Sequence, residues 1–286
     1  MTKGHIPDWL KISAKNSNSI KNMQQFLDKL SLNTICKEAN CPNIYECFQN
    51  KTATFMILGK NCSRNCSFCN VSHNEPEPAD NDESLNIANA IIDLGLNHVV
   101  ITSVTRDDLE DGGAEQFVKT VKVIREKCRG VTIELLIPDF QGKSKSLNNI
   151  INAFPEIIGH NVETVPFLYP VVRAQADFER SKWVLEYIKR KAPKIYVKSG
   201  IMLGLGESQE QVLKVMEDIR STGCDILTIG QYLRPSLKHL EVVEYISPEI
   251  FDYYSHAAYN MGYLFVQSAP FVRSSFNAGE FFKLKK

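Results

Sequence analysis

Three cysteines lie close together in the stretch CSRNCSFC, which directly follows the apolar run TFMILG. Cys62, Cys66 and Cys69 give this stretch CxxxCxxC spacing. Three thiolates on one short loop can bind three irons of a cuboidal iron–sulfur cluster, because soft sulfur ligands suit iron and short spacers bend the chain around one centre. The fourth iron would have no protein ligand and could bind a small molecule. The spacing therefore predicts a 4Fe–4S cluster with one open position.

A zinc knuckle or a chance grouping of thiols is the alternative interpretation of this stretch. Structural zinc sites usually pair their ligands as two CxxC units, or as cysteines with histidines, and close on four ligands. A CxxxCxxC triad has neither feature, so the iron–sulfur interpretation is favoured.

A second group of cysteines, Cys36, Cys41 and Cys47, precedes the first at CxxxxCxxxxxC spacing. These thiols could form a zinc site or supply extra ligands to the first group. A cuboidal cluster has only four corners, however, so six cysteines in such a short stretch favour two separate clusters. Cys128 and Cys224 stand alone and are interpreted as small buried side chains without chemistry.

The elements that must position these cysteines follow from the apolar pattern. From Thr54 onward, short β-rich runs alternate with amphipathic helical stretches, as a parallel βα architecture requires. The predicted strands are residues 54–58, 98–103, 131–137, 160–164, 196–203 and 225–230. The predicted helices are residues 84–94, 114–127, 145–153, 178–191, 209–222 and 248–261. This α/β pattern predicts a partial (β/α)₆ barrel of the TIM type.

The barrel is expected to carry an appendage at each end. Residues 1–52 form an N-terminal extension that holds the second group of cysteines, with an extended start at residues 6–9 and a helix near residues 22–30. The barrel itself is assigned to residues 53–262. Residues 263–286 form a C-terminal segment, in which the run from Tyr263 is expected to be an edge strand or a return segment.

Polar side chains follow the predicted strands at the end where barrel chemistry gathers. Ser103 and Thr105 come after the second strand, in an acidic loop that could also cap the next helix. Asn161 and Glu163 lie on the predicted fourth strand, where a period of two would point both to one face. They could bind a polar ligand or form a structural network. Lys198, on the fifth strand, could contact a carboxylate or face outward.

The C-terminal segment contains Arg273, Ser274 and Ser275 in an extended stretch. Serine usually serves turn formation, and it rarely binds iron. The second group of cysteines nevertheless lacks a fourth ligand, which one of these serines could supply.

The charge balance limits the classes of partner. The chain has 33 basic and 33 acidic residues and a formal net charge of zero, which argues against nucleic acid or an anionic membrane surface as a partner. No apolar run approaches the roughly 18 residues that a membrane span needs. No apolar signal segment follows Met1, so we expect a cytoplasmic protein in a reducing compartment.

Read in order, these segments resemble the lipoyl synthase family of the radical S-adenosylmethionine (SAM) superfamily. The resemblance covers nearly the whole chain and is carried by HIPDWLK, CKEANCPNIYECF, TATFMILG, CSRNCSFC, TSVTRDDLEDGGA, HNVETV, KSGIMLGLGE, LTIGQYLRPSLKHL and VRSSF. The CxxxxCxxxxxC group discriminates most strongly, because the CxxxCxxC loop is shared by a very large superfamily.

The resemblance implies a partial barrel of the radical SAM type with two 4Fe–4S clusters. Cys62, Cys66 and Cys69 would hold the cluster that binds SAM and cleaves it reductively to methionine and a 5′-deoxyadenosyl radical. The expected SAM contacts are Phe68, beside the adenine, and Ser103, Thr105, Asn161, Glu163 and Lys198.

The auxiliary cluster would be held by the other group of cysteines. The resemblance assigns it to Cys36, Cys41, Cys47 and Ser274, the first serine after the arginine, and Arg273 would contact the substrate.

The implied reaction is the insertion of sulfur at C6 and C8 of an octanoyl chain that is linked to a lysine of a carrier protein. The auxiliary cluster would donate the sulfur, and two SAM molecules would be consumed for each lipoyl group. Radical chemistry suits this substrate, since acid–base catalysis cannot break unactivated C–H bonds. The implied partners are an octanoylated lipoyl domain of a 2-oxoacid dehydrogenase or glycine-cleavage H-protein, an electron donor such as flavodoxin or ferredoxin, and an iron–sulfur carrier.

Some positions depart from the family pattern. Phe167 stands where an arginine is common, Ala269 replaces a glycine, and Phe276 replaces a tyrosine after the serines. These departures leave the details of carrier docking open. The alternatives are another sulfur-inserting radical SAM enzyme, such as one acting on dethiobiotin, and a zinc-binding or electron-transfer protein without SAM chemistry.

Overall fold

The computed structural model describes residues 7–11, 32–35, 41, 43, 47, 52–276 and 279–283. Cys36 and the helix predicted at residues 22–30 lie outside these ranges. Near the start of the chain, Asp8–Leu10 form a 3₁₀ helix, so the extended start predicted there is wrong for these residues. The division into an extension, a barrel and a C-terminal segment stays a prediction.

Within the described ranges, seven strands form a single parallel sheet whose spatial order follows the chain. They are β1 (Thr52–Ile57), β2 (His98–Ser103), β3 (Thr132–Leu136), β4 (Ile157–Gly159), β5 (Tyr196–Leu203), β6 (Ile226–Gln231) and β7 (Phe265–Ser268). Among the described residues, β7 pairs with β6 and not with β1, so the barrel is partial. The predicted barrel is confirmed, and the run after Tyr263 supplies its parallel edge strand.

Helices follow the strands, and the longer ones cover the outer face of the sheet. They are α1 (Glu83–Asp93), α2 (Ala114–Lys127), α3 (Ser144–Asn152), α4 (Tyr169–Val172), α5 (Phe178–Lys191), α6 (Gln209–Ser221), α7 (Pro248–Asn260) and α8 (Glu280–Lys283). Ser208 and Gln211 form a capping box that begins α6. Among the described residues, no helix is both long enough and apolar enough to cross a membrane.

The sequence forms strands at these positions because its short apolar runs are buried on both faces, as parallel strands require. All six residues of β1 and all six of β6 are buried. The helices bury only one stripe, which in α2 consists mainly of Phe117, Val121 and Ile124. Most buried strand and helix side chains of the described residues form one large core, beside two smaller clusters.

The fourth strand differs from its prediction. β4 is only Ile157–Gly159, and the HNVET stretch leaves the ladder as a loop. Ile157 and Ile158 are buried between β3 and β5, whereas the polar residues that follow pair with the sheet through only one bridge, from Glu163 to Ile201. Glu163 has a φ of 68°, outside the strand range.

The C-terminal helix closes the amino-terminal end of the barrel. Phe281 in α8 packs on Tyr196 and Phe265, which begin β5 and β7, with ring centroids 4.7 and 5.8 Å apart. Phe282 lies 6.5 Å from the ring of His98, the first residue of β2. This arrangement leaves the carboxyl ends of the strands for chemistry.

Candidate active site

A cavity of about 490 Å³ opens at the carboxyl ends of the strands. Its wall combines the loops after β1, β2, β4 and β6 with the segment after β7. The residues expected to do chemistry that line it are Cys41, Cys62, Cys66, Phe68, Cys69, Ser103, Thr105, Asn161, Glu163, Arg273 and Ser274. Ser275 lines it as well.

The loop that carries the first three cysteines is held by backbone groups on both sides. It leaves β1 through Leu58 and Gly59, both at positive φ. The N–H of Cys62 donates to the carbonyl of Ser72 at 2.7 Å, and Ser67 donates from its N–H and hydroxyl to the last two carbonyls of α4 at 3.0 and 2.8 Å. The loop is therefore fixed in place by neighbouring segments.

His239, in the segment after β6, holds the same loop. Its Nε2 lies 3.0 Å from the carbonyl oxygen of Cys69, and its Nδ1 lies 2.9 Å from Ser236 Oγ. A carbonyl only accepts, so Nε2 must carry the proton. Leu240 adds a backbone hydrogen bond to Ser67 at 3.3 Å. The sequence pattern assigned His239 no role, although it lies in the LTIGQYLRPSLKHL segment, because its role depends on a contact across 170 positions.

The three thiols share one partly buried space. Burial raises the pKa of Cys69 to about 12, and it also raises the pKa of Cys66 above its usual value. All three cysteines line the same cavity. Thiols of this kind become thiolates when a metal displaces their protons. The donor set fits iron–sulfur ligation.

No group of three acidic, histidine or cysteine side chains within the described ranges converges tightly enough to hold a single metal ion. Thiolates of a cuboidal cluster each bind a different iron, so a cluster does not demand that convergence.

The acidic loop after β2 has mostly structural partners. Asp107 pairs with Arg64 at 2.6 Å, and Asp108 pairs with Arg106 at 2.8 Å. Asp111 accepts hydrogen bonds from two backbone N–H groups at the start of α2, at 2.8 and 2.7 Å. The capping interpretation thus applies to Asp111, and the other two carboxylates serve ion pairs.

Three buried polar atoms in the cavity wall have no hydrogen-bond partner among the described residues. They are Ser103 Oγ, Asn161 Oδ1 and Arg173 Nε. An unsatisfied buried group costs about 1–3 kcal/mol. Their shared location in one cavity indicates a polar ligand there. This is the observation on which the fit of SAM rests.

Asn161 and Glu163 lie together, although not for the predicted reason. Asn161 Nδ2 donates to Glu163 Oε1 at 3.0 Å across a loop rather than along a strand. Burial raises the pKa of Glu163, and Arg173 and Asn161 partly oppose that rise. Arg173 donates from Nη1 to the carbonyl of Asn161 at 2.8 Å and lies over the ring of Tyr169 at 5.3 Å. Sequence reasoning missed Arg173, since no motif surrounds it.

Lys198 does not belong to this site. Its side chain is 4% exposed, and its Nζ pairs with Glu134 at 2.7 Å inside the barrel, near His98. It is not among the residues that line the cavity. The expected SAM contact and the outward-facing alternative are therefore both wrong for Lys198, because burial brings it to an opposite charge.

The second group of cysteines is only partly described. Cys41 lines the cavity, Cys47 is buried, and Cys36 lies outside the described residues. Burial raises the pKa of Cys41, opposed by a backbone hydrogen bond at Asn43 and the charge of Arg273. Asn43 Nδ2 also donates to the carbonyl of Phe271 at 2.6 Å. The segments around Cys41 and Arg273 thus meet at the cavity.

A glycine in β6 permits the close approach of the C-terminal segment. A Cβ at Gly230 would lie 2.0 Å from the carbonyl oxygen of Val272, a distance that real atoms do not adopt. Backbone hydrogen bonds from Ala269 to Ile229 and from Gln231 to Pro270, at 3.1 and 3.2 Å, hold the segment there.

Residues 56–219 match the family model of the radical SAM superfamily. The lipoyl synthase of Alkaliphilus metalliredigens (strain QYMF) is 52% identical over 274 residues, which are 96% of this chain and 94% of that protein. The lipoyl synthase of Caldicellulosiruptor saccharolyticus is 51% identical over 278 residues, 97% of this chain and 98% of that protein.

Solved structures that share the fold are much more distant in sequence. Methylornithine synthase has a TM-score of 0.56 at 15% identity, over 89% of this chain and 86% of that chain. Streptococcus suis SuiB bound to S-adenosylmethionine has a TM-score of 0.60 at 9% identity, over 90% of this chain and 57% of that chain. Likeness at this level supports the fold alone.

Proposed function

The chain belongs to the lipoyl synthase family of the radical SAM superfamily, and we propose that it inserts sulfur at C6 and C8 of a protein-bound octanoyl-lysine to give lipoyl-lysine. The observation that carries this proposal is the convergence at one cavity of thiols from both cysteine groups with the segment that contains Ser274. A protein that only generated a radical would not need the second group.

The proposed ligand sets are those of two 4Fe–4S clusters. Cys62, Cys66 and Cys69 would hold the cluster that binds SAM. The auxiliary cluster would be held by Cys36, Cys41, Cys47 and Ser274. When bound, these groups supply reductive cleavage of SAM, a radical able to take hydrogen from unactivated carbon, and sulfide for insertion.

The residues around the three unpartnered polar atoms would hold and orient SAM. Arg173 Nε would donate to the carboxylate of SAM, since a buried guanidinium N–H needs an acceptor. Ser103 Oγ and Asn161 Oδ1 would accept from its ammonium or ribose hydroxyl groups. Glu163 stands beside Asn161 and could accept from a second hydroxyl. Phe68 supplies an apolar surface for the adenine.

The rest of the cavity would exclude water and position the acyl chain. Ile201, Met202 and Tyr232 contribute apolar wall on the β5 and β6 side, and Val272 contributes it from the C-terminal segment. A cavity of about 490 Å³ lies within the usual range for small ligands, roughly 300–1,000 Å³. Fixing the acyl carbon next to the reacting groups is the main contribution that the protein can make.

The reaction implies three partners. An octanoylated carrier, namely a lipoyl domain of a 2-oxoacid dehydrogenase or glycine-cleavage H-protein, must present the acyl chain. Cleavage of SAM consumes an electron, so a low-potential donor such as flavodoxin or ferredoxin is required. Loss of sulfide from the auxiliary cluster requires an iron–sulfur carrier that rebuilds it.

Anaerobic reconstitution followed by iron, sulfide and zinc analysis tests the proposal. We expect about eight irons and eight sulfides per chain, the content of two 4Fe–4S clusters. Incubation with SAM, reductant and either an octanoyl-lysine peptide or dethiobiotin should add sulfur to the peptide only. Zinc in place of iron, a single cluster, or sulfur addition to dethiobiotin would overturn the assignment.

A further inference from the structure

Arg64 lies between the first two cysteines of the cluster loop, and its side chain is 5% exposed. It donates to Asp107 from Nε at 2.6 Å and from Nη2 at 2.9 Å. It also donates to Asp139 from Nη1 at 3.0 Å and from Nη2 at 2.7 Å. Four of the five N–H donors of the guanidinium are thereby occupied. Arg64 is thus committed to protein partners, although it borders the cavity.

The two carboxylates come from different parts of the barrel. Asp107 lies in the loop after β2 and Asp139 in the loop after β3, and the side chain of Asp139 is fully buried. Arg180 in α5 donates to Asp139 from Nε at 2.8 Å. The two arginines and the two aspartates of this ion-pair network therefore balance in charge. Burial alone would raise the pKa of Asp139, but hydrogen bonds from Arg64 hold it well below its usual range.

Ser63 strengthens the same junction. Its N–H and its hydroxyl both lie 2.9 Å from the carbonyl oxygen of Thr105, and its hydroxyl accepts from the N–H of Asp107 at 3.0 Å. β2 ends immediately before this loop at Ser103, which lines the cavity and whose hydroxyl has no hydrogen-bond partner among the described residues. The Arg64 and Ser63 contacts therefore join the thiol-bearing loop directly to a ligand-facing loop.

We propose that Arg64, with Asp107 and Asp139, is a positioning group that fixes the three thiols relative to the SAM-binding side chains. The inference rests on the proposed role of Cys62, Cys66 and Cys69. A planar guanidinium that meets two carboxylates in forked geometry resists rotation in a way that a lysine ammonium cannot. Loss of the hydrogen bonds from the Arg64 guanidinium to the two carboxylates would let the loop shift while the thiols still bind iron. The expected defect is in the binding of SAM to the cluster rather than in cluster content.

The test compares Arg64→Lys and Asp139→Asn with the unaltered protein after anaerobic reconstitution. The readout is the electron paramagnetic resonance signal of the reduced cluster during titration with SAM. Both variants should keep about eight irons per chain. The SAM concentration that gives half of the spectral change should rise about 10- to 100-fold, as removal of groups that orient metal ligands usually does.

A matched control uses the other buried ion pair of the barrel. Glu134→Gln breaks the pair with Lys198, which is equally buried but does not touch the cluster loop. It should leave the SAM titration unchanged. Asp107→Asn, whose carboxylate is partly exposed, is the milder variant to use if the buried changes prevent folding, and it should shift the titration in the same direction.

An unchanged titration in the Arg64 and Asp139 variants would overturn the proposal. An equal shift in Glu134→Gln would also overturn it, because the effect would then be general destabilisation. Loss of iron from the Arg64 or Asp139 variant would do the same, because these residues would then be needed to retain the iron–sulfur cluster rather than to bind SAM. The readout does not depend on sulfur insertion. A protein that binds SAM normally but makes no lipoyl product would therefore refute the proposed function and leave this test intact.

Discussion

Arg173 lines the cavity and has a buried hydrogen-bond donor that a ligand could satisfy. Its Nη1 is used by the protein, but its Nε is buried and has no partner in the described part of the chain. Burial raises the pKa of the neighbouring Glu163 carboxyl, which the charge of Arg173 partly opposes. A carboxylate-bearing ligand would satisfy the unused donor of Arg173.

Arg173→Gln is accordingly expected to weaken SAM binding. A hydrogen bond to a charged group contributes about 1.5–3 kcal/mol, so the SAM concentration for half-maximal 5′-deoxyadenosine formation should rise at least about tenfold. Tyr169→Phe is the matched control, because it removes a hydroxyl that contacts Arg173 and leaves the guanidinium in place. Equal affinities in all three proteins would refute this role.

Ser274 and Ser275 both line the cavity, but we expect their substitution to have different effects. If Ser274 binds the auxiliary cluster, Ser274→Ala should lose most sulfur insertion while it still forms 5′-deoxyadenosine. Ser275→Ala should retain both reactions. Product mass spectrometry and iron analysis measure the two outcomes, and a fully loaded, active Ser274→Ala protein would reject this ligand assignment.

Residue spacing could predict only those site residues that carry local chemistry. The CxxxCxxC stretch names its ligands because one short loop must surround one centre. His239 acts through a contact 170 positions away, and Arg173 contacts Asn161 from outside any recognised spacing, so neither residue carries a signal in the sequence pattern. The prediction for Lys198 was wrong because the sequence of an apolar strand that contains a lysine does not show whether its partner is a ligand or a buried residue such as Glu134.

At the scale of elements, the C-terminal segment depends on the bare backbone of Gly230 in β6. Gly230→Ala would force apart the new Cβ and the carbonyl of Val272, and overpacking of this kind costs about 1–3 kcal/mol. The expected result is lower sulfur insertion with 5′-deoxyadenosine formation retained, because the displaced segment carries Ser274 rather than the first three cysteines.

Gly159→Ala in β4 provides the comparison for that variant. A Cβ at Gly159 would meet its nearest atom at 3.5 Å, an ordinary contact. This variant should keep both reactions, as judged by the same product analysis. Equal sulfur insertion by the two variants would show that the position of the C-terminal segment does not matter.

Periodicity predicted most elements well because each strand is a short buried run and each helix buries one stripe. It failed at HNVET, where an apolar pair, Ile157 and Ile158, forms the strand and the polar residues after it form the site. Alternation in five residues could not distinguish a half-buried strand from a loop at positive φ, since the bridge to Ile201 depends on β5.

The whole molecule should lose stability in mild acid partly through His160. Its ring lies 2.9 Å from the carbonyl of Ile137 and 3.1 Å from Ser181 Oγ, and burial lowers its pKa to about 4. The unfolded chain takes up this proton near pH 6.5. Between about pH 6.5 and 4, the free energy of unfolding should therefore fall by up to about 1.4 kcal/mol per pH unit.

Anaerobic denaturant titrations of the unaltered protein and of His160→Gln, repeated at several pH values, measure this contribution. The variant should show a shallower decline in the free energy of unfolding below about pH 6.5, because one titrating group is gone. Identical slopes would mean that His160 is not the group responsible.

At the scale of the whole molecule, the two ends of the partial barrel have different roles. α8 closes the amino-terminal end, and the carboxyl ends of the strands form a cavity whose wall also includes Cys41 and the segment from Val272 to Ser275. The alternation of strands and helices predicted this barrel from sequence. The meeting of Asn43 with Phe271 was not predictable from pattern, because it joins residues 228 positions apart.

The central claim is that the sulfur in the product comes from the protein's own auxiliary cluster. Protein reconstituted with ³⁴S-sulfide, freed of unbound sulfide and incubated once with SAM, reductant and an octanoyl-lysine peptide should yield a lipoyl peptide with two ³⁴S atoms. At most about one product should form per chain. A product with unlabelled sulfur, or 5′-deoxyadenosine without any sulfur gain, would contradict the account.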